Sequence, residues 1–369
     1  MIGYEWEILA IAAVTASACA LPGSFLVLRQ SAMLSDAVSH AVLPGIVVAF
    51  LLTGSLTSPL LVLGAAATGV LTVSLVELLR RTRLLREDAA IGLTFPILFS
   101  IGVVLVSRYA GSVHLDIDAV LLGELAFAPF RRVAFGGHDL GPEALLTMSA
   151  VLVLNVAFIT VLFKELQLVT FDPALGASLG FRPSRLHYAL MTLVSITAVG
   201  AFDAVGSVLV VALMVAPPAA ARLLTDRLSR MLLLSALIGI GSAGLGWLAA
   251  HELDASIAGC MATAAGGLFA ITFLVAPETG LVAQARRRAE RRGHFRRTML
   301  AIHLLHHGDS PEAEEECRLD RLHWHLRWEE ATVARVVREA ERAGEVRREG
   351  ALLVLTPAGR ARAGEGIMG

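Results

Sequence analysis

Asp36 and His40 stand one helical turn apart in a stretch otherwise built from small and apolar residues, Ser35-Asp36-Ala37-Val38-Ser39-His40-Ala41-Val42-Leu43-Pro44-Gly45. At positions i and i+4 both side chains fall on one helical face. A carboxylate oxygen with an imidazole nitrogen is a ligand set suited to zinc, manganese or iron(II). Two ligands make a weak, incomplete site, which suits a passage that the ion must also leave. Placing an ionisable group in a bilayer costs roughly 3 kcal/mol or more, so such residues ordinarily face a polar path. The structural alternative is that Ser35 and Asp36 cap a helix while His40 hydrogen-bonds a neighbour. The chemistry alone admits both. Pro44 would kink the helix and expose carbonyls beside the pair, which favours the ligand reading.

Two other clusters could hold a metal. His114, Asp116 and Asp118 form an acidic and imidazole group that either receives metal on the outer side or is a solvated loop. Near the C-terminus His303, His306, His307, Cys317, His323 and His325 crowd together beside Glu314, Glu315 and Glu316. Such a group could sense metal and throttle transport, yet no pair has a zinc-finger spacing, and a solvated histidine-rich helix is the alternative. Glu124, Asp203, His251 and Asp254 fall near the ends of predicted spans and read as interfacial residues. Cys19, Cys260 and Cys317 lie too far apart to suggest a disulfide framework. No phosphate-binding Gly-x-x-x-x-Gly-Lys-Ser/Thr loop occurs, so ATP cannot be cradled by that route.

The elements that carry these residues follow from hydropathy. Of 369 residues 56% are apolar and only 17% charged, too little charge for a soluble surface of this size. The apolar excess fills 6–276 and stops. A helix needs about 20 apolar residues to cross a bilayer, and 6–28, 36–54, 59–79, 89–107, 143–163, 187–202, 205–221, 230–250 and 255–276 approach that length. The spans within 187–221 are broken only around Asp203, so eight remains open beside nine. The stretch from Trp6 to Leu28 is too long for a signal core and reads as the first span. Arg80, Arg81, Arg83 and Arg86 fill one short loop; Lys164, Arg182 and Arg185 another; Arg222, Arg227 and Arg230 a third. Arg286, Arg287 and Arg288 follow the last span. Positive loops stay inside, which puts the acidic N-terminus (Glu5, Glu7) outside and the C-terminal segment in the cytoplasm. Arg108, Arg131 and Arg132, in a loop that should be external, are exceptions that a partly re-entrant segment would explain.

From Leu281 onward the composition changes to 17 arginines against 14 carboxylates. The domain reading is a transmembrane unit 1–280, a basic linker 281–293 and a small α+β cytoplasmic domain 294–369. Val333, Val336, Val337 and Ala340 form an apolar stripe opposite Arg335, Arg338 and Arg342, and Gly344 ends that helix. Val346 to Leu355 then reads as a two-stranded wing turning near Gly350. This tail resembles a winged helix of the iron-dependent-repressor type, most of all in Leu355-Thr356-Pro357-Ala358-Gly359. Its net charge of about +3 is thin for DNA binding, so a regulatory or interaction module is the favoured reading and DNA binding is not.

Gly23-Ser24-Phe25-Leu26-Val27-Leu28-Arg29, followed by the run from Leu34 to Gly45, resembles the signature of the manganese/zinc/iron ABC-transporter permease family. The likeness continues through Arg86-Glu87-Asp88-Ala89-Ala90-Ile91-Gly92, Leu122-Gly123-Glu124, Phe171-Asp172-Pro173-Ala174, Ala204-Val205-Gly206 and Leu209-Val210-Val211-Ala212. Pro217 and Ala219-Ala220-Ala221-Arg222 close it, over about 7–277. Where the family usually has glycine this chain has Ser35, small in either case. The resemblance implies an all-α polytopic permease of a bacterial inner membrane that works as a dimer or paired permeases. It implies a separate ABC ATPase subunit and a solute-binding lipoprotein that delivers the metal. It also implies that Asp36 and His40 coordinate a passing Mn(2+), Fe(2+) or Zn(2+), with no permanently bound cofactor and no catalysis by the chain itself. The segment 124–142 is more similar to manganese or iron members than to zinc ones. Asp172, Pro173, Leu175, Leu179 and Gly180 read as a short capped helix, and the family likeness makes it the coupling helix that docks on the ATPase. A proton-driven metal carrier and a membrane-anchored DNA-binding regulator are the rival readings.

Overall fold

The computed structural model describes residues 2–54, 59–82, 84–109, 125–135, 138–308 and 313–368. It divides into two compact units, Met1–Gly280 and Leu281–Gly369.

The first unit opens with α1 (Ile2–Leu28), α2 (Met33–Ala41), α3 (Leu43–Thr53), α4 (Pro59–Arg81) and α5 (Glu87–Tyr109). A 3-10 turn, Ala128–Phe130, leads into a hairpin of β1 (Arg132–Phe135) and β2 (His138–Pro142). Then come α6 (Glu143–Val161), α7 (Phe163–Phe171), α8 (Pro173–Ser178), α9 (Pro183–Val205), α10 (Ser207–Leu224), α11 (Leu228–Leu253) and α12 (Ile257–Val275). Among the described residues nine helical spans are long and apolar enough to cross a membrane, α2 and α3 together making one of them.

The 187–221 region is two spans, α9 and α10. The break is not at Asp203, which stays inside the last turn of α9. It falls at Gly206, whose φ of 82° is a conformation that only glycine adopts without strain.

Lipid tails are as apolar as leucine, so helices in a bilayer associate through close packing and interhelical hydrogen bonds. Both appear here. A Cβ on Gly45 would lie 2.1 Å from the carbonyl oxygen of Gly64, so α3 and α4 meet backbone to backbone. Gly246 does the same for α11 and α12, with Met261 Cα 2.3 Å from where a Cβ would stand. The buried Asn155 amide donates to the Ala18 carbonyl at 2.8 Å and to Thr197 Oγ1 at 3.0 Å, tying α6 to α1 and α9.

Two of the three exceptional arginines, Arg131 and Arg132, are neutralised by carboxylates. Arg131 pairs with Asp203 and Glu143, each at 3.2 Å. Arg132 reaches Glu7 at 3.1 Å and Asp139 at 2.6 Å. Two cations that sit at the acidic end of the unit are thus balanced locally, and at these residues the chain is a hairpin. The Gly141 amide and the Arg132 guanidinium also hold Asp139 below the usual carboxylate range.

The second unit contains α13 (Leu281–His307), α14 (Ala313–Glu316), α15 (Leu322–Leu326), α16 (Glu330–Arg342), a hairpin of β3 (Val346–Glu349) and β4 (Leu352–Leu355), and α17 (Pro357–Met368). Residues 281–293, read from sequence as a linker, are the first half of α13; their alanines and arginines are good helix formers. Leu300, Leu304, Cys317, Leu322, Val333, Val336, Val337, Val346 and Leu353 make a separate apolar core. The stripe on α16 faces this core, while Arg335, Arg338 and Arg342 are exposed. Gly344 (φ 69°) ends α16 and Gly350 (φ 65°) turns the hairpin. A single bridge between Arg318 and Leu352 adds a third chain to its edge.

Candidate functional site

Asp36 and His40 share one face of α2, with His40 Nε2 3.4 Å from Asp36 Oδ1. The opposite face is buried: Ser35, Ala37, Val38 and Ser39 pack into the bundle. The face that carries the pair is open, with the Asp36 side chain 51% exposed and that of His40 28%. Phe95 of α5 flanks the imidazole, ring centres 5.6 Å apart. The capping alternative fails on geometry. Ala32 is the N-cap and no side chain caps the helix. Ser35 Oγ instead donates back to the Ala32 carbonyl at 2.7 Å, and Asp36 lies inside the first turn beside His40.

The span is interrupted between Ala41 and Leu43, with Pro44 in the first turn of α3. Proline has no N–H, so the His40 carbonyl lacks the i+4 donor of a regular helix. The backbone oxygen so freed belongs to His40, one of the pair.

The loop 172–180 forms the short helix α8. Asp172 Oδ1 accepts from the Leu175 amide at 2.9 Å, Pro173 occupies the first turn, and Gly180 ends the turn at φ 89°. Phe171, Leu175, Leu179 and Phe181 are all exposed around it.

A residue whose role was not evident from sequence connects these two elements. Arg29, at the end of α1, donates to Thr170 Oγ1 at 3.2 Å and to His187 Nδ1 at 3.2 Å. Thr170 stands two residues before the cap Asp172, and Arg29 four before α2. The guanidinium lies in a cleft of about 390 Å³ lined also by Glu77, Arg80 and Pro173. Its only trace in the sequence is its place at the end of the Gly23–Arg29 run.

His114, Asp116, Asp118 and Glu124 lie outside the described residues. His251 and Asp254 line a cleft of about 370 Å³ with Phe127 and Trp247, and the His251 ring stacks on Trp247 at 5.9 Å.

Of the tail cluster, the structure brings His303 and His307 together with Glu316. His306 is exposed apart from them, His323 approaches Glu330 at 4.0 Å, and Cys317 is buried in the apolar core. Burial pushes the Cys317 thiol up and the His303 imidazole down from their ordinary values.

Among the described residues nine apolar spans, one of them broken beside a carboxylate–imidazole pair, define a multi-pass membrane protein. The sequence profile of the ABC 3 transport family matches residues 4–276, and the chain belongs to that family. It is 47% identical over 353 residues to the zinc transport system membrane protein TroD of Treponema pallidum, covering 96% of each chain. It is 49% identical over 281 residues to the manganese transport system membrane protein MntD of Bacillus subtilis, covering 76% of this chain and 95% of that one. The first match must run well into the tail; the second is about as long as the membrane unit. A solved structure, PsaBC from Streptococcus pneumoniae in complex with Fab, superposes with a TM-score of 0.62 at 25% identity, over 76% of this chain and 98% of the other.

Proposed function

We propose that the chain is the permease subunit of an ATP-driven importer of divalent transition-metal ions, Mn(2+), Fe(2+) or Zn(2+). The observation that carries this reading is the Asp36–His40 pair on the uncovered face of an interrupted membrane helix. An oxygen and a nitrogen ligand, with the His40 carbonyl beside them, give a passing ion partial coordination without a closed cage. The helices next to α2 carry exposed apolar residues, Leu52 on α3 and Leu93 and Ile97 on α5. A second permease completes the passage by packing there, bringing its own ligands to the same path. The relatives are named for zinc and for manganese, so the ligand chemistry rather than the likeness bounds the cargo.

Energy enters through α8, the coupling helix, whose exposed leucines dock on a separate ATPase subunit. Displacement of α8 pulls on Thr170, which holds Arg29, which leads directly into α2. Supporting this route are the Asp172 cap, the hydrogen bond from Arg29 to Thr170, and the short stretch of chain from Arg29 to α2. The arginine-rich loops face the cytoplasm in an inner membrane, and the hairpin of 132–142 faces the solute-binding protein that delivers the ion. The tail is a cytoplasmic domain of winged-helix type. Its order of helices, hairpin and final helix supports that, as does the bridge from Arg318 to the hairpin edge.

The test is uptake of radiolabelled Mn, Zn and Fe into vesicles holding the permease, its ATPase and its binding protein. ATP-dependent uptake of one metal, lost in Asp36→Ala and in His40→Ala at matched expression, is the expected result. Uptake intact in both variants would overturn the assignment of the path. Uptake driven by a proton gradient without ATP would replace the importer with a secondary carrier.

A further inference from the structure

The tail holds a second set of ligand atoms, independent of the membrane pair. His303 and His307 lie on successive turns of α13, their ring centres 4.8 Å apart, and Glu316 ends α14. One ligand atom from each of the three lies within 4.8 Å of the others. The His303 ring is held by a contact of 3.1 Å between its Nε2 and the Glu316 carbonyl oxygen, and the His307 Nδ1 pairs with the Glu316 carboxylate. The His325 ring centre stands 6.0 Å from that of His303.

We propose that His303, His307 and Glu316 bind one divalent transition-metal ion. Two imidazoles and one carboxylate are the donor set that zinc-like ions take, and three protein ligands leave room for a water or a further side chain. All three residues are half-buried, which fixes the rings before an ion arrives and lowers the ordering needed on binding. The ion joins segments on either side of 309–312, so it fastens the end of α13 to α14. Just beyond Glu316, the Cys317 carbonyl accepts from the Leu353 amide at 3.0 Å and the Leu319 amide donates to the Ala351 carbonyl at 3.0 Å. Occupancy therefore anchors the edge of the β3–β4 hairpin, which makes the hairpin's order responsive to free metal. The inference does not depend on the transport reading.

The test uses the full chain in detergent carrying Asp36→Ala and His40→Ala, so that the membrane pair contributes no ligand. Co2+ is titrated by its visible absorption and Zn2+ by competition with a chelating dye. One equivalent bound per chain is expected. Adding His303→Gln with His307→Gln, or Glu316→Gln alone, should weaken binding by about tenfold or more, while His306→Gln on the same helix leaves it unchanged. Circular dichroism checks that each variant keeps its helices. Should the double glutamine variant misfold, His307→Gln alone carries the test. Failure of the parent chain to bind an equivalent overturns the proposal. So does binding unmoved by the His303, His307 and Glu316 changes, or weakened equally by His306→Gln.

Discussion

Asp36 and His40 come from one turn of one helix and face outward; His303, His307 and Glu316 come from two segments and face one another. The first arrangement offers two side-chain ligands and an adjacent carbonyl, and leaves the rest of a coordination shell to something outside the chain. The second gathers three ligands within one unit. An ion in transit must be released within a transport cycle, so an incomplete shell serves it. A resident ion would be held by three ligands that one fold gathers, with a water to complete the shell. The supports differ too. Helix α3, which continues the first pair's helix past its break, is set by backbone contact at glycine; the unit carrying the second set is tied by charge.

That difference can be broken at its strongest point by Gly45→Val. The new side chain would start 2.1 Å from the Gly64 carbonyl oxygen and 2.0 Å from Thr68 Oγ1, so α3 must leave α4. Overpacking of this kind costs about 3 kcal/mol. Gel filtration in detergent should show little folded membrane unit, and vesicles should show no uptake. Glu345→Ala attacks the other side. Glu345 is nearly buried and meets Arg362 at 2.6 Å and Arg297 at 3.7 Å, joining α17 and α13 to the start of β3. Removing one partner from a buried ion pair costs roughly 3 kcal/mol. Limited proteolysis should then cut the tail readily while the membrane helices stay intact.

Pro44→Ala is expected to act more mildly. It supplies an N–H to the His40 carbonyl, repairs the helix and withdraws that oxygen from the ligand pair. Uptake should fall several-fold with folded protein unchanged. Uptake at the wild-type rate would show that the side chains alone make the path. The smallest effect belongs to Asp172→Ala, which deletes the cap of α8 at a cost of about 1 kcal/mol. More ATP hydrolysed per ion imported is the expected signature, measured on the assembled complex.

The spans were legible because length and apolarity suffice for a membrane helix, and the described helices lie within a few residues of the expected ones. The break between α9 and α10 was misplaced because Asp203, a charge in an apolar run, draws the eye more than Gly206. The charge proved to be half of an ion pair with Arg131, from a distant loop, and no local pattern signals such pairing. Asp36 and His40 were readable from their i, i+4 spacing. Their exposure was not, since it depends on which face α4, α5 and α9 cover. In the tail the spacing of His303 and His307 was visible, but the approach of Glu316, from another segment, is made by the fold. Arg29 was visible only as the last letter of a run; its partners Thr170 and His187 are far off in the chain.

The four exposed apolar residues around α8, Phe171, Leu175, Leu179 and Phe181, flank a helix too short to span a bilayer and lie beside the polar cleft of Arg29. A surface of that kind left bare in water is what chaperones and housekeeping proteases recognise. With α8 in the docking role proposed above, the abundance of this chain in a cell would be tied to the supply of the subunit that covers α8, and matching synthesis of the two would be a property of the fold and not only of gene control.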